Sequence, residues 1–247
     1  MENKKGKVRE YTESLLLALL IAFFLRSFVV EAFKIPSGSM IPTLVIGDHI
    51  FVNKFVYGLR VPFTKKWMKQ FRHPERGEVI VFGWPVDESK DFIKRVVGLP
   101  GDKLRLEGDK VFVNDQLMTR DPIQVTAKEP GTVANLSVIP NAIADGAGIR
   151  KVPSFDDWSQ YDYFIEKTGG VDHLAIYDRY PNLMEREILV PPDQFFVMGD
   201  NRDNSADSRA WGFVPVENIK GKALFVWLSL DLEHKRVRWE RFGKGIE

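Results

Sequence analysis

One stretch near the start of the chain limits its architecture more than any other: LLLALLIAFFLRSFVVEAF, Leu15 to Phe33, broken only by Arg26, Ser27 and Glu31. Its 19 residues make ~28 Å of α-helix at about 1.5 Å per residue, close to the hydrocarbon thickness of a bilayer. No second run is comparable, since Leu224-Phe225-Val226-Trp227-Leu228 is too short to cross and reads as a buried strand. Lys4, Lys5, Lys7 and Arg9 form a basic leader, which a cleavable export signal also carries. Such a signal needs a small-x-small site just after its apolar centre, and Arg26-Ser27-Phe28-Val29-Val30 offers bulky residues instead. The stretch therefore predicts an uncleaved transmembrane anchor over residues 14–33. Residues 1–13 form a cytoplasmic tail and everything after Phe33 lies outside the cytoplasm. Arg26 and Glu31 can snorkel toward an interface, leaving Leu15 to Leu25 as the deeply buried part.

With 35 basic against 34 acidic residues the net charge is +1. No global attraction to nucleic acid follows, and nucleic acid is not expected as a partner. The absence of cysteine rules out a thiol nucleophile, a disulfide framework and a thiolate zinc site. The four histidines, His49, His73, His173 and His234, show no HExxH or helical ligand spacing, so no metal site is expected. No GxSxG elbow is present.

Beyond the anchor, short β-rich runs alternate with turn residues: His49–Phe55, Glu78–Phe82, Phe92–Val97, Lys110–Val113, Phe195–Met198 and Ala223–Leu228. Leu99-Pro100-Gly101-Asp102, Gly108-Asp109 and Val190-Pro191-Pro192-Asp193 supply the breaks between them. Helical periodicity is nearly absent, which makes the outer part mostly β. From Pro122 to Pro181 glycines and aspartates are scattered with no sustained alternation, the signature of an irregular insertion.

Three segments carry possible chemistry. In Ile35-Pro36-Ser37-Gly38-Ser39-Met40-Ile41-Pro42-Thr43-Leu44, the prolines stiffen the backbone and Gly38 permits close approach, so two serines are presented at a defined angle. That suits a nucleophile loop; a rigid exit from the membrane with solvated hydroxyls is the bland alternative, and the segment by itself favours it. In Asp91–Asp102, strand alternation puts Phe92, Lys94 and Val96 on one face and Ile93, Arg95 and Val97 on the other. One of the two basic residues then faces inward. A desolvated Lys94 can act as a base once its pKa falls by about 2–3 units, whereas Arg95 stays protonated; an edge-strand lysine reaching solvent is the bland alternative. Met198–Arg209 is dense in short hydrogen-bonding side chains. It reads as a self-bonded loop in which Asp207 and Arg209 can pair, or as a solvated acidic loop. Calcium binding is disfavoured by the lack of EF-hand spacing.

Together with the anchor, PSGSMIPTL, GDHIFVNKFVYG, IKRVVGLPGD and GDNRDNSADSR closely resemble the bacterial type I signal peptidases, membrane-bound serine proteases that remove signal peptides from exported pre-proteins. The resemblance implies Ser39 as nucleophile and Lys94 as general base. It implies an oxyanion hole from Ser37 and the Ser39 backbone N–H, and a lysine-orienting role for Ser205. Asp207 and Arg209 become the charged pair supporting the loop beside Arg95. Phe33, Ile35, Met40, Leu44, Phe92 and Ile93 become pocket residues that accept small substrate side chains. It further implies no cofactor, and a single-pass protein of the bacterial cytoplasmic (inner) membrane whose catalytic domain is extracytoplasmic. Some Gram-negative members carry a second amino-terminal span, which this chain is not expected to have. Phe63, Trp67 and Trp84 are the residues expected to dip into lipid.

The expected fold is thus mainly β: an antiparallel signal-peptidase-type catalytic domain over 34–104 and 189–247, interrupted by a mixed insertion lobe over 105–188 and preceded by one transmembrane helix. Two other readings compete, a specialised or self-cleaving Ser-Lys processing protease and a catalytically silent membrane scaffold. The anchor counts against the first. Intact Ser39, Lys94 and Ser205 count against the second, because a scaffold gains little from burying a lysine.

Overall fold

The computed structural model describes residues 4–24, 30–61, 64–123, 125–126, 135–136, 161–178 and 184–246. Its first element, α1 (Lys4–Phe24), is built largely from leucine, alanine, lysine and glutamate, all good helix formers. Leu15, Leu16, Leu17, Leu19 and Leu20 are all exposed, so these apolar side chains are left uncovered by the rest of the described residues. The expected span over 14–33 is corrected at its far end. Val30–Lys34 is a strand, β1, paired antiparallel with β2 (Asp48–Asn53) from Val30↔Asn53 to Lys34↔His49. The ladder supplies backbone partners to a stretch whose apolarity alone had suggested helix. Within α1 the apolar run Leu15–Phe24 covers only ~15 Å. Among the described residues no helix is long and apolar enough to cross a membrane.

The strands that follow are β3 (Gly58–Arg60), β4 (Trp67–Gln70), β5 (Val79–Trp84), β6 (Asp87–Gly98), β7 (Lys103–Gly108), β8 (Lys110–Val113), β9 (Gln116–Leu117) and β10 (Arg120–Ile123). After the short β11 (Val125–Thr126) and β12 (Asn135–Leu136) come β13 (Tyr161–Thr168), β14 (Val171–Asp178), β15 (Met184–Leu189) and β16 (Gln194–Met198). A one-turn helix α2 (Ser208–Trp211), β17 (Val214–Pro215), β18 (Ile219–Asp231) and β19 (Arg236–Val237) complete the chain. The architecture is mainly antiparallel β. The principal sheet runs β1-β2-β18-β5-β6-β16-β17, with β19 attached to β18, and β15-β7-β8-β9 and β10-β13-β14 form smaller sheets.

Both faces of the principal sheet are covered. Val79, Val81 and Ile93 pack with Met40, Leu44 and Val226 on one side, while Ile80, Phe82 and Val96 pack with Phe195 and Val214 on the other. A doubly covered strand reads as a continuous apolar run rather than an alternating one. For the same reason the expectation that only one of Lys94 and Arg95 faces inward is corrected: they are 3% and 0% exposed.

The irregular insertion expected over Pro122–Pro181 contains a regular hairpin. Its strands β13 and β14 pair from Tyr161↔Asp178 to Thr168↔Val171, closed by Gly169 and Gly170 at φ 61° and 85°. Buried Glu166, Thr168 and His173 interrupt the apolar alternation, which hid the hairpin. They are tolerated because they bond one another and Arg202.

Candidate active site

The loop from β1 to β2 is a compact turn fastened to its own strands. The Ile35 N–H donates to the Asp48 carbonyl (2.8 Å), Gly47 N–H to the Ile35 carbonyl (3.0 Å) and Leu44 N–H to the Met40 carbonyl (2.9 Å). Met40 and Leu44 plunge into the core, which turns neighbouring Ser39 to the opposite side, half-exposed, with Ser37 fully exposed beside it. The two hydroxyl oxygens are 3.5 Å apart.

Lys94 arrives from β6. Its Nζ lies 2.6 Å from Ser39 Oγ and donates to its neighbour's carbonyl, Ile93 O, at 3.0 Å. No carboxylate forms an ion pair with it among the described residues. Burial pushes its pKa down to about 8, with Arg209 adding in the same direction and Asp207 and Asp200 opposing. A neutral amine in contact with a serine hydroxyl can accept its proton.

The next residue, Arg95, reaches Asp200 through two parallel bonds, Nε–Oδ1 2.8 Å and Nη2–Oδ2 2.7 Å, and donates to the Gly77 carbonyl at 2.6 Å. Burial alone would raise the Asp200 pKa, but Arg95 holds the carboxyl far below its ordinary value. Asp200 also accepts from Thr43 Oγ1 at 2.5 Å, tying the Lys94 strand to the Ser39 turn. Asn201 adds two further ties: its N–H donates to the Ser39 carbonyl (3.1 Å) and its Nδ2 to the Gly38 carbonyl (3.2 Å). Gly199 is required here, since a Cβ would collide with Ser205 Oγ and the Ser39 carbonyl oxygen.

Asp207 and Arg209 pair as expected, at 2.8 Å. Asp207 also caps α2 through the Arg209 N–H and accepts from the Gly199 N–H at 3.0 Å. Burial opposes ionisation of its carboxyl, but Arg209, the Gly199 N–H and Ser205 together lower its pKa. Ser205 lies beside Gly199 with its Oγ buried; its hydroxyl faces the Asp207 carboxylate rather than Lys94. Phe33, Ile35, Met40, Leu44 and Ile93 share one cluster. Phe92 belongs to the cluster on the other face, stacked on Trp84 at 5.1 Å. Trp67 lies under Arg60 at 3.9 Å, so both tryptophans expected at a lipid surface are engaged by packing, and Phe63 lies outside the described residues.

Sequence reasoning missed Asp200, Asn201, Gly199 and Thr43. It also missed the layer behind them, where Arg202 bonds Glu166 (2.5 Å) and His173 is kept neutral by burial and Arg95, its pKa falling to about 3. The one available signal was the glycine followed by closely spaced Asp and Asn. β16 accompanies β6 only from Arg95 onward (Met198↔Arg95), so among the described residues Asp87–Lys94 has a strand neighbour on one side only.

Comparison with known proteins gives a consistent answer. The family model described as signal peptidase, peptidase S26, matches residues 8–228. Signal peptidase I of Pseudomonas fluorescens is 40% identical over 92% of this chain and 75% of its own length. Its Pseudomonas aeruginosa counterpart is 39% identical over the same shares. Signal peptidase I of Buchnera aphidicola subsp. Schizaphis graminum is 38% identical over 97% of this chain and 80% of its own.

Proposed function

Because the chain belongs to the signal peptidase family, peptidase S26, we propose that Ser39 and Lys94 are the pair with which this serine endopeptidase removes signal peptides from pre-proteins. The observation carrying this reading is the 2.6 Å contact between Ser39 Oγ and a buried Lys94 amine with lowered basicity.

With a pKa of about 8, about one lysine in ten is neutral at pH 7. Neutral Lys94 takes the Ser39 proton as Oγ attacks the scissile carbonyl. The oxyanion forms beside the Ser39 N–H and the Ser37 hydroxyl, donors already in place. The Lys94 ammonium gives its proton to the leaving amine, whose C–N bond breaks to leave an acyl-Ser39 ester. Water, deprotonated by Lys94, then attacks the ester and restores Ser39. The open side of β6 at Asp87–Lys94 can receive an extended peptide as an added strand, presenting its carbonyl to Ser39. Phe33 and Phe92, partly buried against their clusters, together with the buried Ile93 beside Lys94, touch small substrate side chains in this reading. Ser205, Arg95, Asp207 and Arg209 support the site, in a catalytic core of 34–104 and 189–247 around a lobe of 105–188.

The exposed leucines of α1 support membrane attachment at the amino terminus. The anchor then occupies the chain between residue 14 and the start of β1, with the basic leader on the cytoplasmic side. An amino-terminal tag that resists protease in intact spheroplasts, while the catalytic domain is digested, is the expected topology result.

The decisive experiment is mass spectrometry of a purified pre-protein incubated in detergent with the wild type and with Ser39→Ala. Cleavage after a small-x-small site by the wild type alone is expected. Cleavage by both would remove Ser39 from the reaction.

A further inference from the structure

The inference rests on Ser39 as nucleophile and concerns the chain's last residues, which fold back over the turn that carries it. Phe225 and Gly245 form an antiparallel bridge, and the Ile246 N–H donates to the Leu224 carbonyl at 2.8 Å. Ile246 is buried in the same cluster as Met40 and Leu44. Within this strap Arg241 is 4% exposed and Asp48, its partner, 0%. Arg241 Nε meets Asp48 Oδ1 at 2.9 Å and Nη2 meets Oδ2 at 2.5 Å, while Nη2 also donates to the Thr43 carbonyl at 3.0 Å. The same Asp48 carboxylate accepts from the Val45 N–H at 2.9 Å.

We propose that Arg241 is a positioning residue for the nucleophile: by fixing the Thr43 carbonyl and the Asp48 carboxylate together, it sets where Ser39 stands relative to Lys94. Thr43 is gripped from two directions, its hydroxyl by Asp200 and its carbonyl by Arg241. It belongs to the same tight turn as Ser39, closed by the Leu44 N–H to Met40 carbonyl bond. Loss of one grip lets the turn tilt as a unit. A misplacement of about 1 Å at a reacting centre can cost ~100-fold in rate. Arg238, on the same strap, holds the Ile46 and Leu230 carbonyls and the Ser229 hydroxyl without touching Thr43 or Asp48. It is the internal control for a purely structural fastening.

The test uses the full-length protein in detergent and a peptide with a small-x-small site. It compares kcat, KM, pH profile and Tm for the wild type, Arg241→Lys, Asp48→Asn/Arg241→Met and Arg238→Met. The expected result is a ~10–100-fold lower kcat in Arg241→Lys with KM within about threefold. The acid limb should move above the wild-type midpoint of about 8, because a loosened turn admits water to Lys94. The double variant removes both buried charges, so that neither is left unpaired, and should keep most of the Tm while kcat stays as low as in Arg241→Lys. Arg238→Met should lose Tm and keep both kcat and the limb. Wild-type kcat and an unmoved limb in Arg241→Lys, or recovery of kcat along with Tm in the double variant, would overturn the proposal. Should the double variant not fold, Arg241→Lys decides alone. A wild type that leaves the peptide uncut, or a Ser39→Ala form that cuts it, would sink the reading of Ser39 and this role with it.

Discussion

Arg95 and Asp200, both without exposed surface, join through two parallel hydrogen bonds of 2.8 and 2.7 Å. The chain neighbour of one is Lys94, and the chain neighbour of the other is Asn201, which holds the Ser39 carbonyl. The pair therefore works as a crosspiece between Lys94 and Ser39, and its removal should damage folding and geometry together. Asp200→Ala leaves a guanidinium buried without a counter-charge, a change that typically costs about 3–5 kcal/mol. It also strips Thr43 of its acceptor. Urea unfolding of the variant should show that loss; an unfolding free energy within about 0.5 kcal/mol of wild type would contradict the crosspiece.

The pH dependence follows from Lys94. The proposed reaction needs the neutral amine, so kcat/KM should rise with pH to a plateau above about 8. Lys94→Arg should be inactive throughout, because a guanidinium stays protonated.

The same lowered pKa makes Lys94 a stability liability. An unfolded lysine holds its proton up to ~10.4 and the folded one releases it near 8. Between those values the unfolded state binds more protons, so stability rises with pH across that window. Lys94→Met should therefore be inactive yet more stable than wild type at pH 7, by up to roughly 3 kcal/mol, with the gap shrinking from pH 8 to 10. Parallel chemical denaturation at pH 7 and pH 10 measures it. A constant gap would mean that the amine's ionisation is not the cause.

Gly199→Ala tests how tightly the two loops meet. The added methyl collides with the Ser39 carbonyl oxygen, which is backbone and cannot swing aside. A fall of at least ~10-fold in kcat is expected, with the fold retained by circular dichroism. Full activity would show that the Ser39 turn moves freely.

Away from the site, Glu78 collects Tyr57 Oη (2.9 Å), Arg72 Nη2 (2.7 Å) and Lys222 Nζ (2.9 Å). Burial opposes its ionisation, but these donors bring its pKa down to about 2. Its contribution is present above its unfolded value of ~4.3 and is lost as pH falls toward 2. Glu78→Gln should flatten the acid limb of the stability curve between those values. Unchanged acid sensitivity would place the titrating group elsewhere.

Local pattern carried much of this protein. The strands around Glu78–Phe82, Phe92–Val97 and Phe195–Met198 were legible because β-branched and aromatic runs end in turn residues, and Lys94 stood out as a cation set among apolar neighbours, while its burial was not legible. The helix expected from the apolar stretch was read too long at its far end, because hydropathy favours Val30–Phe33 without knowing that β2 would offer them a ladder. The hairpin β13–β14 stayed hidden because its polar residues are buried against partners far away in sequence.

What the sequence by itself determined is chemical identity and local geometry: a stiff serine turn, a lysine in an apolar strand, a glycine followed by closely spaced carboxylates and amides. What only the tertiary structure decided is pairing at a distance. Ser39 meets Lys94, Arg95 meets Asp200 and Arg241 meets Asp48 across 55, 105 and 193 positions. Period and propensity act over a few residues along the chain. The burial that lowers Lys94 and makes each buried charge depend on one partner arises only when several strands close over them.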